Sequence, residues 1–146
     1  MNEDQIKLIS ERLKVDKKFF DIWKSKLKIK KYKIGEIILN INSVSDSVLL
    51  LVEGKVRLRG ISSNNDNKLF SLAILNPFEI IGLSSNRLQK PIEIVSAASD
   101  CLCLSIPIQE LKLFKKQIHN EGFNLNDEGI DISELWYLLN NSFNNI

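Results

Sequence analysis

Histidine is almost missing from this chain: His119 is the single one among 146 residues. Nucleophilic or general acid–base catalysis needs a base beside a nucleophile, paired carboxylates or a metal, and no triad can be assembled around His119. Cysteine is nearly as scarce, with Cys101 and Cys103 alone. They stand one residue apart, on the same face of any strand, where they are poorly placed to bridge each other. No disulfide framework is expected. Two thiols and one histidine also fall short of the four ligands a structural metal site takes. Both cysteines read as small buried residues, and the expectation is no catalytic residue, no metal and no enzyme activity.

Long apolar runs are missing too. No segment approaches a membrane span, and Met1 to Gln5 carries no basic region leading into an apolar one. A reducing, cytoplasmic location without direct membrane insertion follows. An excess of one charge is lacking: 20 Lys and Arg face 18 Asp and Glu, a net charge of +2. No global basic field therefore draws the chain to nucleic acid. Lysines do gather from Lys24 to Lys33, and acids at Glu121, Asp127, Glu128, Asp131 and Glu134. The lysine stretch alternates with apolar residues, so it reads as the wet face of an amphipathic strand rather than a phosphate or membrane patch.

What is present is ordinary globular composition, 44% hydrophobic and 26% charged, in a length that suits one core. Ile6, Ile9 and Leu13, then Phe19, Phe20 and Trp23 behind a capping Asp16, predict two short helices up to about Lys24. From Leu27 the period falls to two. Strands are expected from Leu27 until Gly35-Glu36 interrupts, then at Ile37 to Leu39, Val48 to Val52, Val56 to Gly60, Leu69 to Leu75, Glu79 to Leu83, Ile92 to Ala97 and Cys101 to Ile106. Gly54 marks a hairpin turn, and Ser62 to Asn67 a surface loop. After Pro107, a helix carries Leu111, Leu113 and Phe114. A polar stretch from Asn120 to Gly129 then reads as a hinge. A last helix opens at Asp131 or Ser133 and buries Leu135, Trp136 and Leu139. Trp23 and Trp136 are expected to pack onto the strands from either side.

The pieces Tyr32-Lys33-Ile34-Gly35-Glu36-Ile37-Ile38, Leu51-Val52-Glu53-Gly54-Lys55-Val56, Ile80-Ile81-Gly82 and Val95-Ser96-Ala97, followed by Cys101 to Ile106, occur in an order that resembles the cyclic nucleotide-binding domain family. The likeness covers about Phe19 to Lys116. It implies a mainly β fold: a double-stranded β-helix or jelly roll, here a β-roll flanked by N- and C-terminal helices. Residues 1–119 would form the roll with its leading helices, and residues 120–146 a polar linker with an amphipathic helix.

The resemblance also places a phosphate cassette between Gly82 and Val95, with Gly82, Leu83, Ser84, Ser85, Arg87, Lys90, Pro91 and Ser96 as its candidate residues. Two of the family's side chains are replaced. Leu83 stands where a glutamate accepts from the ribose 2′-hydroxyl, and an apolar side chain cannot do so. Pro91 stands where an arginine pairs with the phosphate, and proline offers neither charge nor donor. Losses on the order of 3 kcal/mol for the charged pair and about 1 to 3 kcal/mol for the ribose acceptor would move a micromolar ligand towards millimolar affinity. The expectation is a degenerate pocket with no cofactor and a disfavoured cyclic nucleotide. The alternative is a working cyclic-nucleotide sensor that uses Arg87 and Lys90.

A narrower resemblance joins Gly54 to Gly60, Pro77 to Gly82, Pro91 to Glu93, Ala97 to Ser99 and Cys103 to Pro107. It is similar to the N-terminal domain of bacterial ATP-binding-cassette exporters that carry a peptidase and export peptides or bacteriocins. This implies a non-catalytic regulatory or docking domain on the cytosolic side of a transporter. Its partners would be the neighbouring peptidase and transporter modules or the peptide cargo, and those modules would lie beyond Ile146, since neither a Walker-type loop nor a transmembrane run occurs here. A homodimer through the C-terminal helix is a further expectation. A transcription regulator lacking its DNA-binding domain is another alternative; the residues after Phe114 are too few and too acidic for a recognition helix. A cupin-type metal enzyme, the rival with similar architecture, needs several histidines inside the roll.

Overall fold

The chain begins with a reciprocal cap. The Asn2 side chain accepts from the Gln5 backbone N–H while the Gln5 side chain accepts from that of Asn2, satisfying two donors that a helix start leaves open. The helix so opened, α1 (Glu3–Leu13), buries Ile6, Ile9 and Leu13 and ends where Lys14 turns left-handed. Asp16 caps the next turn as expected, and the short helix it opens, Lys17–Asp21, is of the 3-10 kind. A computed structural model describes residues 1–40, 44–61, 68–125 and 132–144. The expected loop Ser62 to Asn67, the last four residues of the expected hinge and Asp131 lie outside those residues.

Eight strands follow among the described residues: β1 (Lys28–Tyr32), β2 (Ile37–Leu39), β3 (Ser47–Glu53), β4 (Val56–Ile61), β5 (Leu69–Leu75), β6 (Ile80–Ile81), β7 (Glu93–Ala97) and β8 (Cys101–Pro107). They form two four-stranded sheets, ordered β1-β8-β3-β6 and β2-β7-β4-β5, with every pair antiparallel. Three helices complete the described chain: α2 (Leu83–Leu88), α3 (Leu111–Asn120) and α4 (Ile132–Asn144). This is the mainly β roll with flanking helices that the sequence implies.

Alternation in the central strands sorts side chains between two cores. Leu50, Leu102, Leu104 and Ile106 join Phe20, Trp23, Phe114 and Ile118 in a core between the first sheet and the helices. Leu51, Cys101 and Cys103 point the other way and meet Val56, Leu58, Val95 and Ala97 between the sheets. Because β8 is covered on both faces, all its residues but the last are buried. Trp23 anchors the first core: its ring meets Phe114 edge-on at 5.3 Å between centroids, and its Nε1 donates to Gln117 Oε1 at 2.9 Å.

Gly54 makes the β3–β4 turn with φ of 98°, and a Cβ there would lie 2.3 Å from the Asp100 carbonyl oxygen, so both conformation and space demand glycine.

Three expectations are corrected. The Glu79 to Leu83 strand shrinks to Ile80–Ile81, because Gly82 (φ of 93°) turns the chain out of the sheet and Leu83 becomes the first residue of α2. The stretch after Asn120 is not polar throughout: Phe123 is buried in the helical core and meets Phe78 edge-on. The last helix is rotated from its expected face. Leu135 and Leu139 are exposed, whereas Ser133 is buried. Trp136 turns inward because Gly60 on β4 leaves room for its indole and Phe70 of β5 lies 5.2 Å from it.

Burial, reinforced by Cys101, pushes the Cys103 thiol up to about 12 from its ordinary 9.0. The folded state therefore keeps this proton where the unfolded chain has lost it, so stability is full below pH 9.0 and falls as pH rises towards about 12. Urea midpoints of wild type and Cys103→Ala should converge across that interval, and a gap that stays constant would contradict the assignment. Near neutral pH the native thiol should resist alkylation until the chain unfolds.

Candidate functional site

Between the sheets, where β6 gives way to α2, lies a cavity of about 230 Å³. Its polar wall comprises Lys30, Tyr32, Ser45, Ser47, Ser85 and Ser105. Ile38, Leu39, Leu49 and Ile81 form the apolar wall, and Gly82 the rim beside α2. Lys30 is its single charged lining residue among those described. The lysines of β1 are exposed, as the wet face of an amphipathic strand requires, and Ile29 packs on the helical core; Lys30, though exposed, borders the cavity beside Tyr32. Burial, then Cys103 and Glu36, raises the pKa of Tyr32, keeping its hydroxyl a neutral donor.

Of the residues predicted for the cassette, Gly82 and Ser85 line this cavity. Leu83 packs against the helical core. The Ser84 hydroxyl is buried without a hydrogen-bond partner. Pro91, partly buried, follows α2 in the loop to β7, and Ser96, also partly buried, sits mid-strand opposite Arg57 and Ile37.

Arg87 and Lys90 turn to α4. Arg87 Nη1 lies 2.8 Å from Glu134 Oε2. Lys90 Nζ donates to the Tyr137 hydroxyl at 3.1 Å and sits 5.8 Å from the centre of that ring.

Beneath these exposed contacts runs a buried one. Glu93 on β7 is 4% exposed, and its carboxylate accepts from Ser85 Oγ at 3.4 Å and from Ser133 Oγ at the start of α4. Ser85 Oγ also accepts from the Ile92 backbone N–H at 3.3 Å. A residue of the cavity wall is therefore joined through one carboxylate to the C-terminal helix.

His119 lies at the exposed end of α3, where Nδ1 is 3.0 Å from Asn124 Oδ1, away from the cavity. Among the described residues, no group of three or more His, Cys, Asp and Glu is placed to hold a metal, and no helix is long and apolar enough to cross a membrane.

Sequence reasoning missed Lys30, Tyr32, Ser45, Ser47 and Ser105, because the lysine run read as solvated surface and single serines carry no motif. It also missed Glu93 and Ser133. A lone acid flanked by Ile92 and Ile94 was the available signal for the first.

No protein-family model matches the chain, and comparison with curated proteins yields no match. Solved structures do match. The regulatory subunit of a cAMP-independent protein kinase A from Trypanosoma cruzi, bound to guanosine, aligns with a TM-score of 0.65 at 13% identity, over 97% of this chain and 52% of that one. The regulatory domain of Toxoplasma gondii PKA with cAMP gives 0.60 at 14%, over 80% and 51%. The catabolite activator protein of Thermus thermophilus gives 0.55 at 19%, over 88% and 55%. The chain spans about half the length of each. At such identities the likeness establishes the fold, which is the cyclic nucleotide-binding β-roll.

Docking of α4 rests on Gly60, where a Cβ would lie 2.4 Å from Trp136 Cδ1. Gly60→Ala is expected to lift the indole and raise amide hydrogen exchange across Ile132–Asn144, leaving β3 and β8 protected. Ser133→Ala, which takes a donor from Glu93, should do the same and lower stability by about 1 to 3 kcal/mol.

Proposed function

We propose that this chain is a non-catalytic regulatory or docking module whose nucleotide cassette has become a seat for its own C-terminal helix. The observation that carries this reading is the pairing of Arg87 with Glu134 and of Lys90 with Tyr137. Both cassette cations face α4 rather than the cavity. Leu83 and Pro91 add no acceptor and no charge, so the residues predicted for the cassette, from Gly82 to Ser96, form a degenerate nucleotide site. In this reading the chain divides near residue 119 into the roll and a helical extension, and α4 folds back against β4, β5 and α2. Such an extension suits a module that passes contact with a partner to its neighbours. The T. cruzi regulatory subunit belongs to a cAMP-independent protein kinase A, which supports a regulatory role on this fold without that ligand.

The narrower reading is that of a cytosolic N-terminal module of a peptide or bacteriocin exporter of the ATP-binding-cassette type, with peptidase and transporter modules or peptide cargo as partners. It rests on the motifs from Gly54 to Pro107. Calorimetry with cyclic AMP and cyclic GMP should be silent at millimolar concentration. Micromolar binding would instead identify a working sensor. The reading frame past Ile146 should encode a peptidase and an ATP-binding cassette, and a helix-turn-helix in that place would overturn the exporter assignment.

Leu135, Leu138 and Leu139 leave an apolar stripe on the outer face of α4, and we propose that a second copy covers it. Sedimentation at rising concentration should show a dimer that Leu138→Asp abolishes; a monomer at every concentration would refute the pairing.

A further inference from the structure

The second sheet has an outer face that the roll does not use. Val56, Leu58, Val95 and Ala97 point into the core between the sheets, so alternation turns Arg57, Arg59, Ile94 and Ser96 the other way. Register lines them up across the strands. Ile37 stands opposite Ser96, Ser96 opposite Arg57, and Arg57 opposite Ile74. In the next row Ile94 stands opposite Arg59 and Arg59 opposite Ser71. The C-terminal helix leaves this face open, because the residues it touches, Gly60 and Glu93, pair with each other among the inward set. Ile37 is 56% exposed and Ile74 46%, with an exposed Arg57 between them.

Two observations say what would cover the face. The first is charge. Among the described residues, neither the Arg57 nor the Arg59 guanidinium enters an ion pair or a side-chain hydrogen bond, whereas Arg12 and Arg87 each hold a glutamate. No outward position of the described strands carries Asp or Glu, and Glu36, beside Ile37, turns its carboxylate to the Lys33 backbone N–H. Two unpaired guanidinium groups among isoleucines are complementary to carboxylates on an apolar surface. The second is spacing. Arg57 and Arg59 are two residues apart on one strand, about 6.8 Å, which is close to the roughly 6 Å between residues i and i+4 of a helix. Size limits the occupant further. Four strands about 4.8 Å apart, read over two rows of side chains, outline a patch of roughly 300 Å², against about 800 Å² for each side of a standard interface. A single helix fits that area better than a whole domain. The lysines of β1 belong to the other sheet, so this face does not gather the many cations that an anionic membrane surface selects.

We propose that the outer face of the β2-β7-β4-β5 sheet docks an acidic amphipathic helix of a partner protein. Two carboxylates one turn apart meet Arg57 and Arg59, and the apolar side chains beside them lie on Ile37, Ile74 and Ile94. This rests on the reading of the chain as a docking module and gives that module a partner chemistry.

The test titrates the full chain with a synthetic helical peptide of about 18 residues, with glutamates at i and i+4 flanked on that face by leucines, while backbone amide shifts are followed by NMR. Saturable shifts are expected at Ile37, Arg57, Arg59, Ile74 and Ile94, with a dissociation constant on the order of 100 μM. The same peptide with glutamines should bind about tenfold more weakly, as should Arg57→Gln/Arg59→Gln with native shift dispersion. Ile74→Thr should weaken binding about threefold, and Lys28→Gln on the other sheet should leave it unchanged. The proposal is overturned if the acidic peptide does not saturate these amides, if the glutamine peptide binds as well, or if the double arginine variant binds like wild type. It is also overturned if these amides shift with protein concentration alone, which would make a second copy the occupant, or if vesicles containing phosphatidylserine shift them and the peptide does not. Tight binding of a cyclic nucleotide would count against the degenerate cassette and the module reading; failure of the peptide alone counts only against this face.

Discussion

A carboxylate taken out of water must find donors or give up its charge, and Glu93 is a carboxylate almost wholly out of water. The hydroxyls of Ser85 and Ser133 come to it from opposite directions, one from the cassette helix and one from the C-terminal helix. Each helix has one apolar anchor besides: Leu83 packs on the helical core, and Trp136 seats over Gly60 beside Phe70. The cassette helix spans six residues with no side-chain cap, and the C-terminal helix shows leucines to solvent. The buried acid on β7 gives both a common point of attachment, and the exposed pairs Arg87–Glu134 and Lys90–Tyr137 decorate that joint rather than create it, since exposed pairs contribute little.

This joint changes what a roll of this kind can do. The cations of the cassette face α4, and the cationic side chain that borders the cavity comes from β1. The cavity and the helix are then served by different elements: Lys30 and the serines border the cavity, while Arg87 and Lys90 look at α4. Ser85 belongs to both settings, because it lines the cavity and shares Glu93 with the helix. Events within the roll and the placement of the C-terminal helix meet at that one side chain.

Much of the architecture was legible in the sequence. The period of two from Leu27 onward, the glycine at position 54 and the helical spacing of Ile6, Ile9 and Leu13 are local signals, and local signals survive into the fold. Replacements at Leu83 and Pro91 were legible as lost chemistry because a motif gave them a frame. The true cavity wall was not, since Lys30, Ser47 and Ser105 come from three strands that adjoin only through pairing with β8 and β3. The rotation of α4 was hidden for a similar reason. An apolar stripe of Leu135, Leu138 and Leu139 outweighs Trp136 in any count of helical periodicity, but the gap over Gly60 admits the indole and so decides which face turns inward.

Register in β1 has a last consequence, for how the chain tolerates change. Lys30 borders the cavity only because an odd-numbered step separates it from Ile29, which the helical core holds. Losing or gaining one residue between Trp23 and Ile29 would put an isoleucine or another lysine in its place and reverse the polarity of both faces at once. The short connection from the 3-10 turn to the first strand thus behaves as a length standard, and natural variation there should come in steps that preserve parity.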